Sequence, residues 1–276
     1  MSSNEVTLAS SIRANLLSNQ QTQKLIDITT NRLSTGRKVN SPLDNVGAFF
    51  ASQSLTTRSK ELDRLLDGMG QAIQNLKAVD SAIASITSVL EQMQAIARDA
   101  LEQAGASGGA PADQAALESS YNSLRTQLDQ LSADSVYRGI NLLRGSVLTV
   151  VFNEDATSNL TITGVDFTVA GDLAISSADF SDATTAQDAI DEITAAIDLV
   201  RGQGRVISSN LTVIQIRQGF TQNMINILKE GSDKLTLADM NEEGANLVAL
   251  QTRQQLGTTA LSLAAQSQQS VLRLFN

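Results

Sequence analysis

Apolar residues recur every three or four positions through most of the chain, a spacing typical of helices that pack side by side. The longest unbroken run begins at Ile190, and a helix of that length would extend for roughly 60 Å at about 1.5 Å per residue. A sustained seven-residue repeat of this kind predicts a coiled-coil helix. Its apolar face consists of Ile190, Ile193, Ile197, Val200, Gly204, Ile207, Leu211, Ile214, Gln218, Thr221, Ile225 and Leu228.

A helix this long needs an equally long partner, because a compact core would cover only part of its apolar face. The N-terminal half carries a second stripe with the same spacing. One extra three-residue step, from Leu76 to Val79, predicts a local overwinding of this partner helix. The stripe consists of Leu62, Leu66, Met69, Ile73, Leu76, Val79, Ile83, Ile86, Leu90, Met93, Ala97 and Ala100.

The segment between the two long stripes predicts shorter elements. "AGASGGAPAD" reads as a loop, and a helix is expected from about Gln114 to Leu131. "SVLTVVF" and "NLTITGVDFTV" then alternate with β-branched residues on either side of "NEDATS". This pattern predicts a small β-hairpin at about 146–175.

Both ends of the chain repeat the seven-residue rhythm with weaker residues on it. The N-terminal stripe is Ala9, Ile12, Leu16, Asn19, Gln23, Ile26, Thr30 and Leu33, and the C-terminal one is Leu247, Leu250, Gln254, Gly257, Leu261, Ala264, Gln268, Val271 and Phe275. Because polar groups occupy many of the positions that a stable coiled coil fills with Leu or Ile, burial alone does not offset the entropy of ordering these ends. We therefore expect the termini to be disordered in a free monomer and to fold against neighbouring copies. The expected subunit interface comprises Ile12, Leu16, Ile26, Leu33, Leu247, Leu250, Leu261, Ala264, Val271 and Phe275.

The stretch "NRLSTGRKVNSPLDN", residues 31–45, interrupts the helical pattern. Gly36 can adopt the left-handed conformation that ends a helix, and Pro42 favours a turn before the next helix begins near 43–45. We interpret the stretch as a joint, in preference to a simple turn between helices. The domains predicted from these patterns are 1–36 with 238–276, the joint at 37–45, and a helical region at 46–237.

Composition argues against an enzyme. The chain has no Trp, His or Cys and only 3% aromatic residues, so it lacks the bulky side chains that fill a compact catalytic domain. It also lacks an imidazole base, a thiolate and the usual ligands of zinc or copper, and neither a Gly-x-Ser-x-Gly elbow nor a phosphate-binding Gly-rich loop occurs. We expect no catalytic, cofactor-binding or metal-binding residues. The predicted fold is mainly α: an elongated helical bundle with coiled-coil pairing, a small β-hairpin and paired terminal helices.

The net charge of −9 is concentrated in the middle of the chain, where no Lys or Arg occurs between Arg144 and Arg201. We interpret this acidic segment as solvated surface. A calcium site is not expected because no spaced acidic loop with its Gly is present, and a catalytic carboxylate pair is not expected because the chain lacks an aromatic core that would form a pocket. A nucleic-acid partner is not expected, since phosphate contacts require clustered basic residues. No window has the roughly 18 apolar residues of a membrane span, and the N-terminus does not read as a cleaved secretory signal. We therefore expect no membrane insertion, and a leaderless route if the protein is exported.

Three motifs in this order resemble those of one family. "NRLSTGRKVNSPLDN" resembles the N-terminal signature of bacterial flagellins, and "YRGINLL" at 137–143 resembles the family's aromatic-x-Gly-x-Asn-x-Leu stretch. "QQLGTTALSLAAQSQQSVLRLF" is similar to the flagellin C-terminus. The resemblance covers about residues 5–145 and 185–276.

The resemblance implies a structural subunit that polymerises into the extracellular flagellar filament used for swimming, and it assigns the two termini to an inner coiled coil. It makes the joint the family's spoke, with Leu33, Gly36, Asn40, Ser41, Asp44 and Asn45 as its residues. Implied partners are other copies of the chain, the flagellar cap and hook-junction proteins, and an export chaperone at the C-terminal helix.

Some residues depart from the family pattern. Pro42 stands where flagellins often have Ala. The hook-filament junction protein, a relative with a similar start, favours Asn-Ser-Pro at this point and is therefore the alternative. Phe49 and Phe50 occupy positions that are usually small or polar in flagellins, and this predicts different packing around the spoke. Gln92 and Gln94 stand where many enteric-type flagellins carry arginines that a host Toll-like receptor reads, so the resemblance does not imply recognition by that receptor.

Overall fold

The computed structural model describes residues 10–105 and 111–274. Within them the elements, in chain order, are helices α1 (Ser10–Thr35), α2 (Val46–Gly105) and α3 (Pro111–Asp134), strands β1 (Val147–Val151) and β2 (Asn159–Thr163), and helices α4 (Ala183–Thr236) and α5 (Met240–Leu274). The predicted fold class is confirmed: the chain is mainly helical with one small antiparallel hairpin. No helix among the described residues is both long enough and apolar enough to cross a membrane.

The chain forms two compact units. The terminal unit comprises Met1–Thr57 and Ile227–Asn276, and the central unit comprises Arg58–Asn226. The division therefore lies inside α2 and α4 and not at their ends, where the sequence had placed it. Within the terminal unit the start of α2 and the end of α4 are joined by a buried hydrogen bond between the hydroxyl groups of Ser52 and Ser232, at 2.8 Å, and this contact holds both helix ends in that unit.

In the central unit, α2 and α4 run antiparallel with their apolar stripes buried. Gly204 of α4 lies beside α2, where a Cβ at this position would be in ordinary van der Waals contact, 3.6 Å from the Cγ2 of Ile83. Further along the pair, the Gln94 side-chain amide donates to the Thr194 hydroxyl at 3.0 Å. The stripe positions of both helices that lie in this unit are buried or half-buried, so the predicted pairing of two long helices is confirmed.

The β-hairpin covers one part of this core. Its register pairs Val147 with Thr163 and Val151 with Asn159, and it buries Leu148, Val150 and Ile162. The second strand ends at Thr163, earlier than the predicted 175, because the backbone then pairs elsewhere. The amide of Val165 donates to Leu142 O, and the amide of Phe167 donates to Leu143 O, both at 2.9 Å.

The "YRGINLL" motif connects α3 to this region. Arg138 and Gly139 both have positive φ, 51° and 83°, so the chain turns sharply there. The buried Asn141 side chain donates to Ser132 O at 2.8 Å and accepts from the Leu143 amide at 2.9 Å. One amide thus links the end of α3 to the segment that enters β1.

Helix α3 orders the acidic segment before α4. Its Glu118, Asn122 and Asp129 side chains accept hydrogen bonds from the amides of Phe180, Ala178 and Val169 at 2.9–3.1 Å. These contacts satisfy backbone groups that have no partner in a helix or strand. Tyr121 packs edge-on against the ring of Phe180, with ring centroids 5.5 Å apart, and burial, followed by the nearby Glu192, raises the pKa of Tyr121 to about 12.

Several acidic residues of this segment have defined structural contacts. Asp182 caps α4 by accepting from the amides of Thr184 and Thr185 at 2.8 and 3.0 Å, and these bonds lower its pKa. Glu192 accepts from the amide and hydroxyl of Ser176. Among the described residues, no three acidic side chains are grouped so as to hold a metal ion.

Two isoleucines of α4 test the assignment of its buried face. Ile214 is fully buried, whereas Ile216 is 66% exposed. We expect Ile214→Ala to lower the free energy of unfolding by about 2–5 kcal/mol because it leaves a cavity in the core, and Ile216→Ala to change it by less than about 0.5 kcal/mol. Urea unfolding of both variants measures this, and equal losses would contradict the assignment.

Candidate functional site

The candidate site is the terminal unit, where the joint and the two terminal helices meet. Helix α1 ends at Thr35, and Gly36 follows with φ of +69°, so the predicted left-handed glycine is confirmed. Nothing lies within 4 Å of a Cβ built on Gly36. Backbone conformation, and not crowding, therefore requires glycine at this position.

After Gly36 the backbone pairs with the connection between α4 and α5. The amide of Ala238 donates to Gly36 O at 3.0 Å, and the amide of Lys38 donates to Thr236 O at 2.7 Å. Residues Arg37 and Leu237 form an isolated antiparallel bridge. The connection before α2 and the connection before α5 are thus held together by main-chain hydrogen bonds, which do not depend on side-chain identity.

The remaining predicted joint residues form a local hydrogen-bond network. The Asp44 carboxylate accepts from the amides of Asn40 and Ser41, both at 2.9 Å, and from the Ser41 hydroxyl at 3.2 Å. The Asn40 amide group donates to the Thr35 hydroxyl at 2.9 Å. Asn45 caps α2 by accepting from the Ala48 amide at 2.9 Å. The structure therefore brings five of the six predicted residues into one turn, while Leu33 lies half-buried on α1.

Phe49 and Phe50, which depart from the family pattern, lie in the first turn of α2. Their rings meet edge-on with centroids 5.5 Å apart. Phe49 is half-buried and Phe50 is 55% exposed. The pair therefore leaves an aromatic ring at the surface beside the joint.

Helices α1 and α5 pack against each other in the terminal unit. Six positions of the predicted α5 stripe are half-buried at the seam: Leu247, Leu250, Gln254, Gly257, Leu261 and Ala264. Glu243, which the prediction did not include, is buried at the start of the same stripe. Ala9, Gln268, Val271 and Phe275 of the predicted stripes lie outside the residues whose side chains are described.

On α1 the buried stripe differs from the predicted one. It consists of Ile12, Asn15, Asn19, Thr22, Ile26, Thr29 and Leu33, whereas Leu16, Gln23 and Thr30 are exposed. The two stripes share every seventh residue and differ at the positions between them. There Asn15, Thr22 and Thr29, all polar, lie at the seam in place of the predicted residues. Thr22 satisfies its buried hydroxyl by donating to Ser18 O at 2.9 Å. The helix consequently keeps large apolar side chains on its outward face.

An ion pair at the end of this seam was not predicted. Arg32, in the last turn of α1, donates to the Glu243 carboxylate at 2.8 Å, and only 10% of the Glu243 side chain is exposed. Glu243 also lies in the first turn of α5, where the helix dipole favours a negative charge. The alternating four- and three-residue steps of the α5 stripe could have identified Glu243 as a seam residue, because it precedes Leu247 by four positions.

Small residues allow the two terminal helices to approach closely. A Cβ on Gly257 would overlap the side-chain amide of Asn19, whereas nothing lies within 4 Å of a Cβ on Gly244 of the same helix. Gln254 donates to the Gln23 side chain at 2.5 Å beside this contact. The seam is therefore close but largely polar.

We expect Gly257→Ala to weaken the α1–α5 pairing and Gly244→Ala to strengthen it. Alanine normally stabilises a helix interior by about 0.5–1 kcal/mol relative to glycine, but at position 257 the methyl group displaces Asn19. Hydrogen exchange of the α1 and α5 amides measures both effects. The double variant Asn19→Ala/Gly257→Ala should recover protection, and its failure to do so would contradict the proposed overlap.

The joint should weaken in acid. Hydrogen bonds from the Asn40 amide, and then from that of Ser41, lower the pKa of Asp44 below its usual 3.8. A lowered folded-state pKa means that the ionised carboxylate stabilises the joint above the unfolded pKa, and that this contribution is lost as pH falls through the folded pKa.

The neutral isostere Asp44→Asn should therefore remove part of the acid dependence. Hydrogen exchange of the Asn40 and Ser41 amides at about pH 7 and about pH 3 compares wild type with this variant. A carboxyl titration followed by NMR gives the pKa directly. Identical pH dependence in the two proteins would contradict this role for Asp44.

Comparison with known proteins gives matches along most of the chain. The family models described as "Bacterial flagellin N-terminal helical region" and "Bacterial flagellin C-terminal helical region" match residues 4–147 and 187–275. A flagellin of Brucella melitensis is 27% identical over 267 residues, covering 92% of this chain and 93% of that protein. Flagellin FljM of Caulobacter vibrioides is 26% identical over 249 residues, covering 88% of each.

Solved structures give a partial match as well. The crystal structure of Bacillus cereus flagellin has 18% sequence identity and a TM-score of 0.48, and the match covers 55% of this chain and 86% of that one.

Proposed function

The chain belongs to the bacterial flagellin family, and we propose that its paired terminal helices are the surface through which it assembles. It is a structural subunit of the flagellar filament, which the flagellin relatives form outside the cell. The hook-filament junction protein, the alternative from the sequence, gains no support from these matches. Flagellins are structural proteins, and we propose no catalytic role for this one.

The observation that carries the proposal is the apolar surface on the outward side of the terminal pair. Large side chains that do not face the seam are 44–67% exposed. They are Leu16, Leu17, Leu25 and Ile28 on α1, and Val248, Leu256 and Leu263 on α5. A helix pair with apolar residues on its outer side gains stability when other helices cover them. Neighbouring copies in a filament supply such helices.

The polar seam supports the further proposal that this pair is unstable in the monomer. Asn15, Asn19, Thr22 and Thr29 occupy α1 positions at which a stable coiled coil would carry apolar residues. The ion pair and main-chain bonds at the joint fix only one end of the seam. Assembly would then couple the folding of α1 and α5 to polymerisation, which restricts filament growth to sites where neighbours are present.

We also propose partners implied by the family. The cap and hook-junction proteins would meet the same terminal surface at the filament ends, since they must cover the helices that the last subunit leaves exposed. An export chaperone would bind α5 before assembly, where Val248, Leu256 and Leu263 offer an apolar face.

Two positions on α5, two residues apart, test the proposed assembly surface. Leu261 is half-buried towards α1, whereas Leu263 is 66% exposed. We expect Leu263→Gln to leave the thermal unfolding of the monomer unchanged but to suppress seeded polymerisation, because each buried leucine contributes about 1.5–3 kcal/mol. Light scattering and negative-stain microscopy measure polymerisation, and long wild-type filaments would also exclude the junction-protein alternative.

The comparison variant is Leu261→Gln, which should reduce protection of α1 and α5 from proteolysis even within filaments.

In wild type, limited proteolysis should remove about the first 40 and the last 35 residues from the monomer and neither end from the filament, because neighbours order the terminal pair. Filaments formed by Leu263→Gln at the wild-type rate would contradict the assembly surface. Equal resistance of monomer and filament would contradict the coupled folding.

A further inference from the structure

A cleft in the central unit lies between α2 and strand β1. Its walls are one face of α2 from Arg64 to Asn75, the turn of the "YRGINLL" motif at 137–140, and β1 from Leu148 to Val151. Its volume is about 430 Å³, which falls in the range of about 300–1,000 Å³ typical of small-molecule sites. We refer to this space as the β1 cleft.

The charged groups of the β1 cleft are both basic. Arg64 and Arg138 are the only charged residues among those that line it, and both are exposed. Neither side chain forms an ion pair or a hydrogen bond with any residue that the structure describes. Two guanidinium groups without a carboxylate partner, in a chain whose net charge is −9, favour an anionic ligand. A carboxylate fits best, because it accepts two parallel hydrogen bonds from one guanidinium.

Gly68 leaves one wall of the cleft open. It lies in the interior of α2, a helix of 60 residues, where glycine is less favourable than alanine. Its φ is outside the left-handed region, and nothing lies within 4 Å of a Cβ built on it. Neither the backbone conformation nor the packing of this chain therefore requires glycine here. A ligand lying against the helix backbone would require it.

The backbone of Arg138 is strained at the opposite wall. Its φ is +51°, a conformation that residues other than glycine seldom adopt. The preceding residue is fixed in place, because the Tyr137 backbone exchanges two hydrogen bonds of 3.0 Å with Ile140 and its hydroxyl donates to Gln71 Oε1 of α2 at 2.9 Å. Strain of this kind is concentrated at binding sites, where it holds a side chain in one place.

A buried polar group in the cleft wall has no partner. Asn75 is 2% exposed, and its side-chain nitrogen donates to Tyr137 O at 3.4 Å. Its Oδ1 accepts no hydrogen bond from any described residue, which is uncommon for a buried acceptor. A donor on the ligand would satisfy it. That donor is a hydroxyl and not an ammonium group, because a cation would be repelled by Arg64 and Arg138.

The remaining walls select a hydrocarbon body. Ala72, Leu148 and Val150 are buried, and Leu65 is half-buried. Apolar side chains of this kind favour aliphatic groups, because contact with them removes hydrocarbon from water.

We propose that the β1 cleft binds a small aliphatic hydroxy acid. The carboxylate of the ligand pairs with Arg64 and Arg138, its hydroxyl donates to Asn75 Oδ1, and its hydrocarbon part lies over Gly68 against the apolar walls. All of these residues belong to the central unit. The site therefore goes beyond the proposed function and does not depend on the pairing of the terminal helices.

Matched ligands test the chemistry of the site. Added to the full-length monomer, 3-hydroxyhexanoate should shift the amide NMR signals of cleft residues such as Gly68 and Thr149, with saturation at a Kd of about 1 mM or below. Hexanoate, which lacks the hydroxyl, and 3-hydroxyhexanamide, which lacks the charge, should each bind about fivefold or more weakly. Equal binding of either analogue, or shifts that do not saturate, would overturn the inference.

Matched variants test the location of the site. Gly68→Leu fills the cleft, and Gly219→Leu adds the same side chain at a helical glycine of α4 that also has nothing within 4 Å of its Cβ. Arg138→Gln removes one guanidinium, and Arg205→Gln removes another exposed arginine of the central unit. We expect Gly68→Leu and Arg138→Gln to weaken binding of 3-hydroxyhexanoate about tenfold or more, while both controls stay within about twofold.

Thermal unfolding shows whether a variant has kept its fold. All four substitutions should leave it as in wild type, because none of the four positions belongs to the buried core. If Gly68→Leu disturbs the helix, Arg138→Gln still tests the site, since it changes only an exposed side chain. Wild-type affinity in a folded Arg138→Gln variant would overturn the inference.

Discussion

The packing of α2 against α4 is the contact on which the rest of the central unit depends. A seven-residue apolar stripe can be buried along its length only by a partner that also runs along its length, and these two helices meet that requirement in antiparallel orientation. Gly204 and Ile83 lie beside each other in this contact. Helix α3, the β-hairpin and the acidic segment then pack onto this pair, which supplies most of the residues of the buried core. With 3% aromatic residues, the chain builds its core from aliphatic side chains in helical register.

The pairing of α1 with α5 uses the same geometry with weaker residues. Threonine, asparagine, glutamine and glycine fill positions that are apolar in the central unit, while large apolar side chains face outward. Because of this reversal, the α1–α5 seam itself stabilises the pair little. Covering the outward apolar side chains with other helices stabilises it more. A subunit that must be exported and then polymerise benefits from such a distribution. The assembly surface proposed above then contributes little to the stability of the free chain and much to that of the polymer.

The polar contacts are concentrated where helices begin, end or are absent. Asp44, Asn45 and Asp182 accept hydrogen bonds from free backbone amides, and α3 does the same for the segment that precedes α4. The only charge in the terminal seam that is nearly buried among the described side chains, that of Glu243, is paired with Arg32. Acidic and amide residues therefore fix the turns that position the helices, and the apolar stripes fix how the helices pack.

The sequence by itself determined the stripes of α2, α4 and α5, the hairpin and the left-handed Gly36, because each follows from local periodicity or from the conformational range of one residue. The packed structure alone decided the seam of α1, where Thr22 and Thr29 are buried and Leu16 is exposed. Both stripes share the same seven-residue frame, Asn19 included, and they differ in whether Thr22 and Thr29 or Gln23 and Thr30 lie at the seam. The packed structure also brought Arg32 to Glu243 across 211 positions of sequence. Periodicity shows that a helix has an apolar face, but the identity of the surface that covers it depends on residues far away in the chain.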